Sequence, residues 1–469
     1  MSSSVNSTLP LICIQFFSVA LALVPLVTVA QQPAKTFSLQ PADSPVDNPL
    51  KGLVPYANPT AGRFPHSLEF SYLGLGKIVV GERRYDWKPV ESILDDIASR
   101  GNQAVMRIYM EYPKKEDGIP AYLIQSGVKV EKWLNKNTAP LPPAPCLTPD
   151  YEDPLTQAML CDFIAAFGEK YDGDPRLGYL TAGLLGTWGE WHTYPRSELF
   201  ASKTTQTMVL DAYEKAFTKT PVLLRYPAGK EHVTLAENAS RKFGYHDDSF
   251  AWATIDTGQH EDDWFFVTEM VNAGQAAMNK WQEHPIGGEI RPELWGSIFD
   301  PAKRPHRKSQ DFDQCVDHTH VTWLMDSGLF QKQPSQDRRD KAIQSVRRMG
   351  YDLTVKQVQW QVQPDGSTEI RIDILNRGVA PFYGEWATEL GMLDDNGKLT
   401  WSQKVDTLSV YGILPSVSAT TLTAQLRNAP ELGNQRLIMR VVNPLENGKP
   451  FCFGNQTQNL HRAGWLTLN

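Results

Sequence analysis

The sequence predicts a mixed α/β fold in which a (β/α)8 TIM-like barrel is followed by an all-β antiparallel sandwich. Two patterns carry this prediction. From about residue 48 to residue 350, short apolar segments alternate with segments of helical period, as in a parallel sheet covered by helices. Beyond residue 350, apolar residues recur at every second position, which is typical of antiparallel strands. We therefore expect a barrel within residues 31–350 and a sandwich domain at residues 351–469.

Eight short apolar segments of the first part are candidate barrel strands. Eight such strands over roughly 300 residues match the size of a closed (β/α)8 barrel. The segments are Gly52–Tyr56, Leu68–Leu73, Ala104–Tyr109, Leu177–Leu185, Val222–Tyr226, Lys242–Tyr245, Ile286–Gly288 and Val321–Met325. The first two of them have no convincing helix between them.

Segments of helical period follow most of the other strands. Between Val90 and Ile97, apolar residues are spaced at i, i+3, i+4 and i+7, which predicts an amphipathic helix. The further predicted helices are Met159–Phe167, Thr204–Phe217, Phe266–Trp281 and Ser335–Arg348.

The second part contains short runs in which apolar and polar residues alternate. Examples are Val358–Val362, Ile370–Ile374 and Leu437–Val441. Turn sequences separate such runs, namely Pro-Asp-Gly at 364–366 and Asn-Gly at 396–397. Together these features predict an antiparallel sandwich.

The N-terminal segment is the clearest targeting feature. Residues 9–30 are almost wholly apolar and end in Thr28-Val29-Ala30, which resembles a cleaved secretory signal at residues 1–30. We therefore expect a secreted, extracellular or periplasmic protein with no stable membrane span after cleavage. An uncleaved anchor is the alternative, because the segment is long enough to cross a bilayer.

The charge pattern gives no indication of a nucleic-acid partner. The formal net charge is -7, and neither sign forms a long run.

Export removes Cys13 and leaves four cysteines. Because Cys146 and Cys161 are close in sequence and flank a Pro-rich loop, we expect a disulfide between them, with free buried thiols as the alternative. The segment Asn137–Pro154 is too rich in Pro for a helix or a central strand, so we predict a long loop above the third strand.

Two glutamates follow predicted barrel strands and are the candidate catalytic residues. Glu190 comes after the fourth strand and Glu289 after the seventh. Barrel enzymes carry their chemistry at the carboxyl ends of the strands, so these two side chains are expected to meet at the mouth. A proton donor and an ionised carboxylate are what the cleavage of a glycosidic bond requires.

Aromatic residues surround Glu190 in the sequence. Trp188 and Trp191 are expected to keep Glu190 protonated, because apolar surroundings favour the neutral acid. Their rings, with His192, are also candidate contacts for the apolar face of a sugar.

Other polar residues near the predicted strand ends are candidate substrate contacts. His246 and Asp247 follow the sixth strand, where sugar recognition, a loop cap and a metal site are alternatives, and we assign no metal. Arg107 and Arg225 lie on the third and fifth strands and are expected to bind either a carboxylate of the site or an acidic sugar. Structural pairing in the barrel is the other interpretation. Glu293 is a rival to Glu289.

Acids at the ends of strands four and seven resemble those of the large clan of retaining (β/α)8 glycoside hydrolases. The resemblance implies that Glu190 is the acid/base and Glu289 the nucleophile. It also implies that Tyr245 hydrogen-bonds the nucleophile and that Trp323 forms a sugar platform. One residue departs from the pattern, because Gly189 stands where that clan usually has Asn before the acid/base.

The motifs NPLKGLVPY, YDGDPRLGYLTAGLLGTWGEWHTYP, GYHDDSF and PIGGEIRPE resemble a secreted barrel-plus-sandwich family, known as domain of unknown function 4832 with 4874. That family implies the architecture. From the two glutamates and the clan resemblance, we expect a carbohydrate-active enzyme without a cofactor, most simply a glycoside hydrolase. A polysaccharide lyase and a non-catalytic carbohydrate-binding or cell-surface protein are the alternatives. The sequence does not indicate the sugar, the linkage or the oligomeric state.

Overall fold

The computed structural model describes residues 1–2, 33–57, 64–138, 141–225, 235–303, 305–331 and 333–469. Its strands are β1 (Lys35–Ser38), β2 (Gly52–Val54), β3 (Leu68–Gly74), β4 (Val79–Gly81), β5 (Arg84–Tyr85), β6 (Gln103–Glu111), β7 (Val130–Asn135), β8 (Ala144–Pro149), β9 (Leu177–Thr187), β10 (Val222–Arg225), β11 (Gly244–Phe250), β12 (Ile286–Ile290), β13 (Trp323–Met325), β14 (Leu353–Val362), β15 (Thr368–Asn376), β16 (Thr388–Leu393), β17 (Leu399–Lys404), β18 (Thr420–Leu426), β19 (Arg436–Val441) and β20 (Leu466–Thr467). Its α-helices are α1 (Lys88–Ser99), α2 (Ala121–Gln125), α3 (Pro154–Tyr171), α4 (Lys203–Ala216), α5 (Leu235–Ser240), α6 (Phe266–Ala273), α7 (Gln275–Met278), α8 (Phe312–Thr319), α9 (Gly328–Gln331) and α10 (Gln336–Arg348).

The eight predicted barrel strands form one parallel sheet in the order β2-β13-β12-β11-β10-β9-β6-β3. The two edge strands of this sheet approach each other, and a parallel bridge joins Tyr56 to Phe70, so the barrel is nearly closed. Helices connect the later strands, whereas β2 and β3 are joined without a described helix. The predicted barrel is confirmed at this level.

Capping residues explain where several of the surrounding helices begin. The side chains of Asp153, Ser202, Asp311 and Ser335 each accept a hydrogen bond from a backbone N–H in the first turn of α3, α4, α8 and α10. The predicted helix Phe266–Trp281 is interrupted instead. Gly274 has φ +91° between α6 and α7, a conformation that ends a right-handed helix.

Alternate residues of the barrel strands belong to different buried clusters. Val105 and Trp323 lie in the cluster inside the barrel, whereas their neighbours Met106 and Leu324 pack against the outer helices. This alternation decides which side chains reach the mouth. In β12, Gly287 and Glu289 have the inward position. In β11, that position belongs to His246, which contacts the ring of Trp323.

The residues beyond 350 form antiparallel sheets, as their period of two predicts. One sheet has the order β1-β14-β15-β18 and the other β17-β16-β19-β20. Apolar residues of both sheets belong to the same buried cluster as the barrel interior. The N-terminal strand β1 pairs with β14, so residues 35–38 contribute to this part of the chain. A separate sandwich domain with a boundary at residue 350 stays a prediction.

Part of the Pro-rich segment forms the second strand of a hairpin, and the cysteine on this strand is not paired as predicted. Strands β7 and β8 pair antiparallel, and the second strand carries Cys146 beside Trp133. The thiol of Cys146 lies 3.9 Å from Oε2 of Glu111 on β6, while Cys161 lies on α3. The predicted Cys146–Cys161 disulfide is wrong, because both thiols are free.

The predicted export signal, residues 9–30, lies outside the described residues. Within the described ranges, no helix combines the length and the apolar character needed to cross a bilayer.

Candidate active site

Glu190 lies in a tightly wound turn directly after β9. Trp188 and Trp191 have φ values of 57° and 58°, a left-handed conformation that is costly for residues with a side chain. Backbone hydrogen bonds hold the turn, from Thr187 N–H to the His192 carbonyl at 2.8 Å and from Trp188 N–H to the Glu111 carbonyl at 2.9 Å. The turn therefore fixes Glu190 at the carboxyl end of the barrel strands.

Arg107 binds the carboxylate of Glu190 from inside the barrel. Its Nη1 donates to Oε1 of Glu190 at 2.8 Å, and its Nε donates to Oγ1 of Thr181 at 2.9 Å. The Arg107 side chain is only 2% exposed and that of Glu190 11%, so this is a buried ion pair. Of the alternatives for Arg107, the structure supports the orientation of Glu190.

Glu289 is the second acid of the mouth and has a different environment. It is 7% exposed, and none of the hydrogen bonds or ion pairs among the described residues involves its carboxyl group. Burial raises the pKa of Glu289 well above its usual value, and the charge of nearby Glu190 raises this pKa further. Glu289 therefore favours its protonated form, and the two glutamates share one site.

Glycine at position 287 allows β12 to pass close to the barrel floor. A Cβ atom on Gly287 would lie 2.3 Å from the ring of Trp323. Trp323 itself is fully buried and stacks on Tyr179 at 5.8 Å. It is thus a floor beneath the site, and its predicted role as an open sugar platform does not fit this burial.

Polar contacts connect Arg107 to β11 and connect β11 to β10. His246 accepts a hydrogen bond at Nε2 from Nη2 of Arg107 at 3.1 Å. Burial and the Arg107 charge hold the pKa of His246 well below its usual value, so the imidazole is neutral. Arg225 donates to Asp248 at 2.6 Å, which satisfies the predicted pairing of Arg225.

Glu190, His192 and Asp248 are the described residues whose side chains come closest to a metal-binding set. Their possible ligand atoms lie within 4.8 Å of one another. However, Arg107 and Arg225 already bind the two carboxylates. A divalent cation would therefore lie beside two guanidinium groups, and we derive no metal chemistry from this set.

Three tyrosines near the two glutamates were not identified from the sequence. Burial raises the pKa values of Tyr56, Tyr72 and Tyr112, and the charges of Glu190 and Glu289 contribute to each of these shifts. The rings of Tyr56 and Tyr72 lie 6.2 Å apart, and that of Tyr112 lies 5.5 Å from Tyr72. All three are partly exposed, so the mouth has an aromatic wall.

Tyr245 and Asp247, two of the predicted substrate contacts, lie on the outer side of the strand β11. Tyr245 is 1% exposed and packs with the outer helices, because it has the outward position next to His246. It therefore cannot bond the nucleophile as the resemblance implies. Asp247 accepts hydrogen bonds from Ser249 N–H and from the Thr254 hydroxyl, which fits the loop cap instead of sugar recognition.

Trp191 belongs to the packed core behind the turn, whereas Trp188 stays partly exposed beside His192. Trp191 is 3% exposed and its Nε1 donates to the Ala182 carbonyl at 2.7 Å. The prediction that it binds substrate and keeps Glu190 protonated does not fit this packing.

The substitution Trp191→Phe is expected to lower the free energy of unfolding by about 1 kcal/mol, because it leaves the buried Ala182 carbonyl without its donor. Urea denaturation measures this change. Unchanged stability with weakened glycan binding would instead restore the predicted contact.

Glu111 links the β7–β8 hairpin to the barrel and gives a pH-dependent prediction. Its carboxyl group accepts hydrogen bonds from Thr148 at 2.6 Å and from Tyr151 at 2.5 Å. Burial raises the pKa of Glu111 to about 7. The folded state therefore binds the proton more tightly than the unfolded chain, so stability from this group is lost as the pH rises toward 7. We expect Glu111→Gln to reduce this decline in denaturation curves between pH 5 and pH 8.

Comparisons with known proteins give only weak similarities. No family model matches the chain. DNA topoisomerase 3 of Salmonella typhimurium is 32% identical over 87 residues, but these span 19% of this chain and 13% of that relative's length.

Several of the similar solved structures are glycoside hydrolases. Endo-glycoceramidase II from Rhodococcus sp. has 9% identity and a TM-score of 0.38, and the match covers 83% of this chain and 100% of that one. The β-galactosidase from Rahnella sp. R3 has 10% identity and a TM-score of 0.37, over 65% and 58% of the two chains. A pyruvate kinase from Pyrobaculum aerophilum has 9% identity and a TM-score of 0.32, over 65% and 74%. Similarities of this size carry no conclusion about activity, and the family named from the motifs stays a prediction.

Proposed function

We propose that this protein is an exported glycoside hydrolase in which Glu289 donates a proton and Glu190 acts as the ionised carboxylate. The observation that carries the proposal is the contrast between the two acids of the mouth. Glu190 is bound by a guanidinium group, whereas Glu289 is buried without such a partner and lies within the field of Glu190.

The contrast supplies the two protonation states that glycosidic cleavage needs. A raised pKa lets Glu289 keep its proton near neutral pH and transfer it to the leaving oxygen. Glu190 then either attacks the anomeric carbon or activates a water molecule. These roles are the reverse of those implied by the resemblance. The reason is that Arg107 binds Glu190, which follows β9, and not Glu289 on β12.

Arg107 acts as a positioning residue in this proposal. It binds Glu190, Thr181 and Tyr72 at once, which fixes the direction of the Glu190 carboxylate. Since the neutral ring of His246 also accepts from Arg107, the guanidinium cannot swing toward Glu289 without losing several hydrogen bonds.

The aromatic wall supports a carbohydrate as the substrate. Tyr56, Tyr72 and Tyr112 offer both a flat apolar face and a hydroxyl group, which suits the apolar faces and the hydroxyl groups of a sugar ring. Trp295 extends this wall, with its ring 6.2 Å from that of Tyr56. Partly exposed polar groups of His192 and Asp248 also lie within 4.8 Å of the Glu190 carboxylate.

A product assay on purified protein tests the proposal. The mature chain is incubated with a panel of polysaccharides and aryl glycosides, and new reducing ends are measured. We expect release of saturated products, with the Glu190→Gln/Glu289→Gln double variant as the inactive control. Products that absorb in the ultraviolet through a new double bond would instead support a lyase. Binding without turnover on the whole panel would support a non-catalytic protein.

A further inference from the structure

Two cationic groups and a histidine ring surround one tryptophan ring at the rim of the mouth. Trp252 is partly buried, just after β11. The guanidinium carbon of Arg291 lies 5.7 Å from the centre of its ring, and Nζ of Lys308 lies 5.4 Å from it. The ring of His306 stacks on Trp252 at 4.7 Å with an interplanar angle of 21°. The ring therefore holds these groups in defined positions.

The loop that carries Arg307 and Lys308 is fixed to the barrel. Gln310 donates its backbone N–H to the Ala251 carbonyl at 2.8 Å. Its side chain accepts hydrogen bonds from the backbone of Thr254 and Ile255 at 2.9 and 3.1 Å, and donates to the Ile255 carbonyl at 2.6 Å. The cations thus face the solvent from a fixed segment at the carboxyl ends of β11 and β12.

The cluster lies next to the glutamate that we propose as proton donor. Arg291 comes two residues after Glu289, and its N–H donates to the Phe250 carbonyl at 3.2 Å. The positive charge of Arg291 also acts on Glu289, where it opposes the rise in pKa that burial causes. A polysaccharide that contacts the cluster can therefore extend into the mouth on the Glu289 side.

Much of the positive charge at this rim is not neutralised. Arg291 is paired with Glu293 at 2.9 Å, but no ion pair among the described residues involves Arg307 or Lys308. Both of these side chains are exposed. The whole chain has a formal net charge of -7, so the exposed cations of this rim are opposite in sign to the net charge of the protein. Such a local field raises the concentration of anions at the mouth.

The arginines inside the barrel do not provide this charge. Arg107 and Arg225 are bound to Glu190 and Asp248, so neither is available to a substrate carboxylate. An acidic sugar held by these two residues, as the lyase alternative requires, would have to displace buried ion pairs.

We propose that the basic rim, defined as Trp252, His306, Arg307 and Lys308, selects an anionic polysaccharide, one that carries carboxylate or sulfate groups, as the substrate of this site. The inference rests on the proposed function. Uronate or sulfate groups on sugars beyond the cleaved bond would meet Arg307 and Lys308, while the sugar at the bond meets the tyrosine wall.

Binding measurements on an inactive protein test the inference separately from hydrolysis. Parent and variants carry Glu190→Gln and Glu289→Gln. Their affinities for polygalacturonate, chondroitin sulfate, neutral xylan and single-stranded DNA are measured at low and high salt. We expect the polyanions to bind more tightly than xylan, with an advantage that shrinks in high salt. Arg307→Glu/Lys308→Glu is expected to weaken polyanion binding by about tenfold.

The matched control is Lys35→Glu/Lys356→Glu, which makes the same charge change on exposed residues of the β1–β14 pair. It should leave polyanion binding nearly unchanged. Arg307→Gln/Lys308→Gln, a milder change, should give an intermediate loss if the first variant is unstable. Equal affinity for xylan, equal losses in the control, or tighter binding of single-stranded nucleic acid than of either polyanion would overturn the inference. Hydrolysis of a neutral glycan by the active protein would overturn it while leaving the proposed function intact.

Discussion

Replacing Glu289 with Gln is expected to lower kcat/KM on an unactivated glycan by about 10²- to 10⁴-fold, the usual contribution of a positioned proton donor. On an aryl glycoside whose leaving group departs without protonation, the loss should be far smaller. The reason is that the amide keeps the shape of the side chain at β12 but supplies no acidic proton. Steady-state kinetics on the two substrates measures this difference.

The corresponding variant of Glu190 separates the two roles. Glu190→Gln should be impaired on both substrates, since an ionised carboxylate is needed whatever the leaving group. If Glu190→Gln recovers activity on the activated substrate and Glu289→Gln does not, the roles follow the clan resemblance and our assignment is reversed. Glu261→Gln, on an exposed 3-10 helix (His260–Trp264), serves as the control for loss of a negative charge.

Arg107→Met is expected to have the largest effect on stability, with a loss of about 3–5 kcal/mol in the free energy of unfolding. The substitution leaves the Glu190 carboxylate buried without its cation, and it also removes the donors to Thr181 and His246. Chemical denaturation measures the loss. Arg107→Lys should recover only part of it, because an ammonium group cannot reproduce the planar set of donors.

A double variant shows whether the ion pair is the cause. Arg107→Met/Glu190→Gln removes the unpaired charge, so it should be more stable than Arg107→Met alone. Strict additivity of the two single effects would mean that Arg107 stabilises the barrel independently of Glu190.

The sequence predicted the barrel strands closely because apolar runs between turns are a local signal. The fourth strand was expected at Leu177–Leu185 and is β9 at Leu177–Thr187. The helix expected at Phe266–Trp281 is interrupted at Gly274, because this single residue has a backbone conformation that a right-handed helix does not allow. The two glutamates were found because each lies at the carboxyl end of such a strand, Glu190 just after β9 and Glu289 within the last residues of β12.

The sequence did not predict the features that depend on the direction of side chains or on closure of the barrel. A shift of one position in β11 exchanges Tyr245 for His246 at the inner face, and the pattern GYHDDSF does not fix that register. Trp191 looks like a neighbour of Glu190 along the chain, yet the left-handed turn directs its ring into the core. Tyr56 and Tyr112 follow different strands and become neighbours only when the sheet closes.

The most direct measurement is kcat/KM on one hydrolysed glycan for the parent, the two single Gln variants and the double variant. Two carboxyl groups that act on the same bond should give strongly non-additive losses, so that the double variant is hardly slower than the poorer single variant. A kcat/KM close to that of the parent in both single variants would contradict a hydrolytic pair at the barrel mouth.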